Sequence, residues 1–128
     1  MDYNFKKFEA KNARLESRIT VTKKSHSIGF PTKFYRDNGI KNFKYVVLYY
    51  DQPKKAVGIH FTSDEKEENT FVINHSDNYG ASIVARSFLK SNNLDPSVYH
   101  GRYDWEKHNI DGVGEVFVIN LKKKEITK

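Results

Sequence analysis

Residues 34–45 and 88–99 carry one pattern at a constant offset of 54. Phe34 falls on Phe88, Tyr35 on Leu89, Arg36 on Lys90 and Asn38 on Asn92, then Gly39 on Asn93, Ile40 on Leu94 and Tyr45 on Tyr99. Self-similarity of this kind constrains architecture before any single element does. A unit of about 45 residues cannot bury its own sheet. Two such units in one chain of 128 residues are therefore expected to pair and share a core.

Local patterns fill in the two units. Residues 18–22 alternate with β-branched period two and read as a strand. Lys23-Lys24-Ser25-His26-Ser27 is a polar turn, and residues 28–30 form a short strand. Pro31 sits at a helix start, where its missing N–H costs nothing. Residues 32–38 make a two-turn helix that Gly39 ends in a left-handed conformation. Residues 45–50 are a near-continuous apolar strand, and Val57, Ile59 and Phe61 alternate along its return. The second half reads alike, with a strand at 71–73, a turn from His75 to Gly80 and a strand at 81–84. A helix at about 85–92 follows, with Asn93 in the place of Gly39. Strands around 99–107 and at 115–121, joined by a Gly112-Val113-Gly114 loop, close the unit.

The boundaries follow: an arm or short helix at 1–18, a first ββαββ unit at 19–62, a connector at 63–70, a second unit at 71–121 and a basic tail at 122–128. The expected fold is mainly β with two short helices. Its first-half core would be Ile19, Val21, Ile28, Phe30, Phe34, Ile40, Val46, Leu48, Val57, Ile59 and Phe61. Val72, Val84, Phe88, Leu94, Tyr103, Trp105, Val116 and Val118 would supply the second half. In the arm, Phe5 and Phe8 stand at helical spacing with Leu15 beyond them. It reads as a docking helix, a basic arm or an unstructured lead-in.

Charge is uneven along the chain. Residues 19–62 hold Lys23, Lys24, Lys33, Arg36, Lys41, Lys44, Lys54 and Lys55 against Asp37 and Asp51, a surplus equal to the whole chain's net +6. The connector has one lysine against four acids. Such asymmetry points to a polyanion partner, against the plainer reading of solubilising lysines. Lys23, Lys24, Ser25, His26, Lys33, Arg36, Lys41 and Lys44 form the candidate DNA-contact set, grouped on one turn and its neighbouring helix. Lysines and arginines would meet phosphates, and hydroxyls would position the backbone. Tyr45, Tyr49 and Tyr50 could stack on single-stranded bases if exposed, although so apolar a strand is expected to be buried.

Catalytic signals are thin. The five histidines follow no metal-binding spacing, there is no cysteine, and no phosphate loop or nucleophile elbow occurs. In a strand over 99–108, His100, Arg102, Asp104, Glu106 and His108 would share a solvated face, with His100 and Asp104 roughly 13 Å apart and unable to share an ion. The reading is a non-enzymatic protein without cofactor or metal. No apolar run approaches the roughly 20 residues of a membrane helix, and no secretory leader is recognisable, so a cytoplasmic location is expected.

Residues 27–41, Ser-Ile-Gly-Phe-Pro-Thr-Lys-Phe-Tyr-Arg-Asp-Asn-Gly-Ile-Lys, end a short strand in proline and place Gly-Ile eight and nine positions later. This resembles the AbrB/SpoVT swapped-hairpin transition-state regulators over residues 19–61, with a degenerate copy in 71–121. The resemblance implies interleaved ββαββ units forming one β-barrel, a single-chain counterpart of the family's dimer as in MraZ-type tandem proteins. It also implies duplex-DNA binding in transcription regulation, by a monomeric pseudo-dimer or a homodimer. The chain departs from the pattern at Tyr35, where the family has arginine, at Phe43-Lys44 in place of Gly-Asp, and at Ala85 in place of the second proline. These departures keep a second reading open, a protein-interaction module, inhibitor or adaptor, that retains the fold without DNA binding.

Overall fold

A computed structural model describes Tyr3, residues 16–76 and residues 80–122. The arm anchors Phe5, Phe8 and Leu15, turn residues 77–79 and most of the basic tail lie outside the described residues. Among the described residues strand outweighs helix, 46% to 18%, in two antiparallel sheets with three short helices. In order, the first half has β1 (Ile19–Val21), β2 (Ser27–Phe30), α1 (Thr32–Asp37), a 3-10 turn (Ile40–Asn42), β3 (Tyr45–Asp51) and β4 (Ala56–Thr62). The second has β5 (Thr70–Val72), β6 (Asn74–Ser76), β7 (Gly80–Val84), α2 (Arg86–Ser91), α3 (Pro96–Tyr99), β8 (Gly101–Tyr103), β9 (Trp105–Ile110) and β10 (Gly114–Asn120).

One sheet runs β6-β7-β2-β1-β8 and the other β5-β3-β4-β10-β9. Each therefore draws strands from both halves. β2 pairs with β7, with Ile28 opposite Ile83, and β4 pairs with β10, with Ile59 opposite Phe117. The first strand of each half lies against the third-strand region of the other, β1 on β8 and β5 on β3. Exchanging the halves swaps the β1–β8 and β5–β3 pairings and maps β2–β7 and β4–β10 onto themselves.

The helix ends repeat atom for atom at the offset of 54. Asn38 Nδ2 donates to the Phe34 carbonyl at 3.0 Å, and Asn92 Nδ2 to the Phe88 carbonyl at 2.8 Å. Gly39 then turns left-handed at φ 63°, and Asn93 does so at φ 56°. Gly80 is a different case. A Cβ there would lie 2.1 Å from the Phe30 carbonyl oxygen, and its φ is +89°. Gly80→Ala is therefore expected to destabilise by more than about 1 kcal/mol in a urea titration. An unchanged midpoint would mean that β7 does not approach Phe30 so closely.

Inside, Phe34 meets Phe30, Phe61, Trp105 and Phe117 with ring centroids 5.0–6.2 Å apart. Both halves contribute to this cluster. Most of the expected first-half core is buried, while Leu48 packs against the core partly exposed. The second half departs more. Val72 is 64% and Val84 53% exposed, while Phe71 packs against the core and Ile83 is buried. Period-two alternation explains both. Phe71 lies opposite inward Val46 and Ile83 opposite inward Ile28, so the next residue in each strand faces out. Trp105 and Val118 are only partly buried. On α2 the buried residue is Leu89, and Phe88 packs beside Tyr50 at 6.0 Å. The residue before α1, Pro31, is extended at ψ 163°, whereas Ala85 has ψ 23°. The second helix therefore enters differently, and its core-facing position moves by one residue, or about 100° around the axis.

Three expected elements change. Residues 96–99 are helical because Asp95 caps them, accepting from the Ser97 N–H at 2.9 Å, with Pro96 at the first helical position. Tyr99 therefore ends a helix instead of opening a strand, and His100 lies outside the strands. The strand that follows breaks at Asp104 into β8 and β9, so the proposed continuous face from His100 to His108 does not exist. His75 and Ser76, read as turn, belong to β6 and pair with Ala81 and Gly80.

Candidate nucleic-acid interface

Backbone geometry makes the Lys23–His26 segment a tight turn. Thr22 N–H donates to the Ser27 carbonyl at 2.9 Å, and His26 takes up φ 52°. The Ser25 hydroxyl is held by Thr22 Oγ1 at 2.8 Å, so it serves the turn itself. Lys23 and Lys24 project into solvent. The His26 carbonyl accepts from the Ala85 N–H at 2.9 Å, and its Nδ1 accepts from Arg86 Nε at 3.2 Å. Accepting at Nδ1 leaves the ring proton on Nε2 in the neutral form.

This corrects the expected grouping of turn and helix. The turn and α1 leave opposite ends of β2, about 10 Å apart along the strand. The turn of the first half is instead bonded to the helix of the second. Arg86 and Lys90 are four residues apart on α2 and so share its face. Lys23, Lys24, Arg86 and Lys90 thus belong to one surface. The Asp95 carboxyl lies below its usual range, chiefly through the Ser97 hydrogen bonds, with the charges of His26 and Lys23 contributing. That places Asp95 at the border of the same surface.

The remaining candidates sit elsewhere. Lys33 is tied to Asp37 at 2.6 Å and Lys44 to Glu65 of the acidic connector at 3.3 Å. Arg36 is in the last turn of α1 and Lys41 is exposed on the 3-10 turn. Around α1, Tyr35 Oη lies 2.8 Å from His75 Nδ1, and His75 Nε2 lies 2.9 Å from the Phe43 carbonyl. A carbonyl can only accept, so Nε2 carries a proton and the Tyr35 hydroxyl donates to Nδ1 of the neutral ring. Among the described residues, no carboxylate lies within ion-pair distance of Lys23, Lys24, Arg36, Lys41, Arg86 or Lys90. On the sequence alone Arg86 and Lys90 are expected to matter much less than Lys23, Lys24 and Arg36, because the offset pairs α2 with α1 and gives no sign that turn and helix trade partners; the His26–Arg86 bond argues against that ranking. Of the three tyrosines, Tyr50 turns inward to Phe88, while Tyr49 stands on the outer face of its sheet.

Near β8, Glu16 bonds Arg18 at 2.8 Å and Arg102 at 3.3 Å. The Arg18 hydrogen bond is the main reason its carboxyl is lowered from 4.5 to about 2, against a smaller opposing effect of burial. A depressed folded value adds stability above the usual carboxylate range, lost as pH falls towards 2. The Arg18 contact is local and can survive unfolding, so Arg102 carries the part linked to folding. A carbon-detected NMR titration should place the Glu16 midpoint near 2 in the native chain and nearer 4.5 in Arg18→Ala. A native midpoint near 4.5 would mean the pair does not form.

Among the described residues, no group of three or more His, Asp or Glu side chains is placed to hold a metal ion. No described helix is long and apolar enough to cross a membrane. No protein-family model, curated protein or solved structure matches the chain.

Proposed function

We propose that this chain is a double-stranded-DNA-binding protein of the swapped-hairpin regulator type, its two halves interleaved as one barrel. The barrel reading is supported at both seams. β5 and β6 are separated by Ile73 alone, and β8 and β9 by Asp104 alone, so each edge of one sheet runs directly into an edge of the other. The observation that carries the functional reading is the cation cluster built across the halves. Lys23 and Lys24 belong to the turn whose His26 bonds Arg86 of the other half's helix, and among the described residues none of these three cations has a carboxylate partner. Cations held on short, well-bonded elements suit phosphate contact and carry no sequence code themselves. The α1 end offers less, Arg36 and Lys41 alone, since Lys33 is already paired with Asp37. Binding is therefore one-sided for a single chain. The test is a titration against duplex DNA at two salt concentrations. Micromolar or tighter binding at low salt that falls steeply with added salt is expected. Absence of salt-sensitive binding would overturn the reading in favour of a non-catalytic protein-interaction module.

A further inference from the structure

Arg86 is held at its Nε, and that decides which edge of its guanidinium is left for a ligand. The Nε–H donates to His26 Nδ1 at 3.2 Å, and the Ala85 N–H, one residue earlier, donates to the His26 carbonyl at 2.9 Å. Turn and helix are thus joined twice, through backbone and through side chains. His26 stands at φ 52° in a turn closed by the Thr22 N–H on the Ser27 carbonyl at 2.9 Å, so the ring is carried on a well-bonded backbone. A guanidinium is a planar fork of donors. With Nε engaged, the end-on pair Nη1 and Nη2 remains, and among the described residues no carboxylate lies within ion-pair distance of it. Parallel N–H donors of this spacing match two oxygens of one phosphate.

We infer that His26 is a positioning residue for Arg86, latching its guanidinium so that the Nη1–Nη2 edge meets a single DNA phosphate, and that the latch opens when the ring is protonated. The phosphate contact rests on the DNA-binding reading; the latch does not. In the neutral ring Nδ1 has a lone pair to receive the Nε–H. In the imidazolium both ring nitrogens are donors, so the Nδ1–H and the Arg86 Nε–H oppose each other and two positive charges meet. The charged groups around the ring are Lys23 and Lys24 of its own turn, Arg86 of α2 and Asp95 at the start of α3. Histidine is the one of these residue types whose charge ordinarily changes between about pH 5 and 8. A side chain already held in place loses less rotamer freedom on binding, which is what the latch contributes.

His26→Asn and His26→Gly separate the acceptor from the ring. Asparagine Oδ1 stands where Nδ1 does along the side chain, does not titrate and tolerates a left-handed backbone; glycine suits that backbone and has no acceptor. In the native chain without DNA, the Arg86 Nε nitrogen resonance should move in step with the His26 ring resonances between about pH 7.5 and 5. It should stay fixed in His26→Asn, and in His26→Gly it should lie near the free-arginine value throughout. A native resonance that ignores the ring's titration, or that His26→Gly leaves unchanged, would overturn the latch. At the upper pH and fixed salt, His26→Gly should weaken duplex binding about two- to tenfold, the share of one released side chain, and His26→Asn should restore it to within about twofold. In an Arg86→Ala background His26→Gly should cost nothing further. An equal loss with and without Arg86 would show that His26 acts by its own contact and would overturn the positioning role. Absence of salt-sensitive binding by the native chain would overturn the DNA-binding reading and the phosphate contact with it, while the resonance titration still decides the latch.

Discussion

Replacing Lys23, Lys24 and Arg86 together with alanine should flatten the salt dependence of duplex binding by about three log–log units, roughly one per lost phosphate contact. Arg86→Ala alone should remove as much slope as Lys23→Ala, although the two residues are 63 positions apart in the chain. The His26–Arg86 contact is the reason, because it makes the turn and α2 one surface. Lys33→Ala is the internal control. Its ammonium already faces Asp37 at 2.6 Å and releases few counterions on binding, so the slope should hardly move. Fluorescence anisotropy at four or five salt concentrations measures each slope. A steeper loss for Lys33→Ala than for Arg86→Ala would relocate the interface to α1.

Phe34→Ala should destabilise the fold by about 3–5 kcal/mol, a large share of the ~5–15 kcal/mol available to a small domain. The side chain is fully buried, and its ring meets Phe30 and Phe61 from its own half and Trp105 and Phe117 from the other. Truncation leaves a cavity between strands from both halves, where none can collapse without moving its sheet. Phe88→Ala is the comparison, since the offset places it at the same position. Because Phe88 only packs beside Tyr50 at the edge of the core, its loss should cost about 1–2 kcal/mol. Equal losses in urea unfolding would contradict the shifted core position of α2.

Much of the local structure was legible because it depends on neighbours in sequence. Pro31 and Gly39 bracket α1, and Asn92 and Asn93 end α2 with the same bonds as Asn38 and Gly39, so helix limits were read to within a residue. Alternation along β4 identified Val57, Ile59 and Phe61 as inward. The errors have equally local causes. Asp95-Pro96-Ser97 is a cap-and-start signal that was passed over in favour of a strand matching Tyr45. The polar residues of β6 read as turn because an edge strand has no need of apolar side chains on both faces.

The candidate site was legible only in part. Charge counting found Lys23 and Lys24, but counting along the chain cannot tell a free cation from one such as Lys44, neutralised by Glu65 from a separate segment. Nor does an alignment of two halves say which half's helix a turn will meet. By itself the sequence determined the limits of α1 and α2 and the alternation that points side chains inward or outward, because these rest on torsional preferences and bonds spanning a few residues. Only the tertiary structure decided that β1 pairs with β8 and β5 with β3, that Leu89 rather than Phe88 fills the core, and that Arg86 joins the Lys23–Lys24 turn. Those outcomes depend on burying two half-sheets against each other, a free energy shared between distant segments that no local pattern carries.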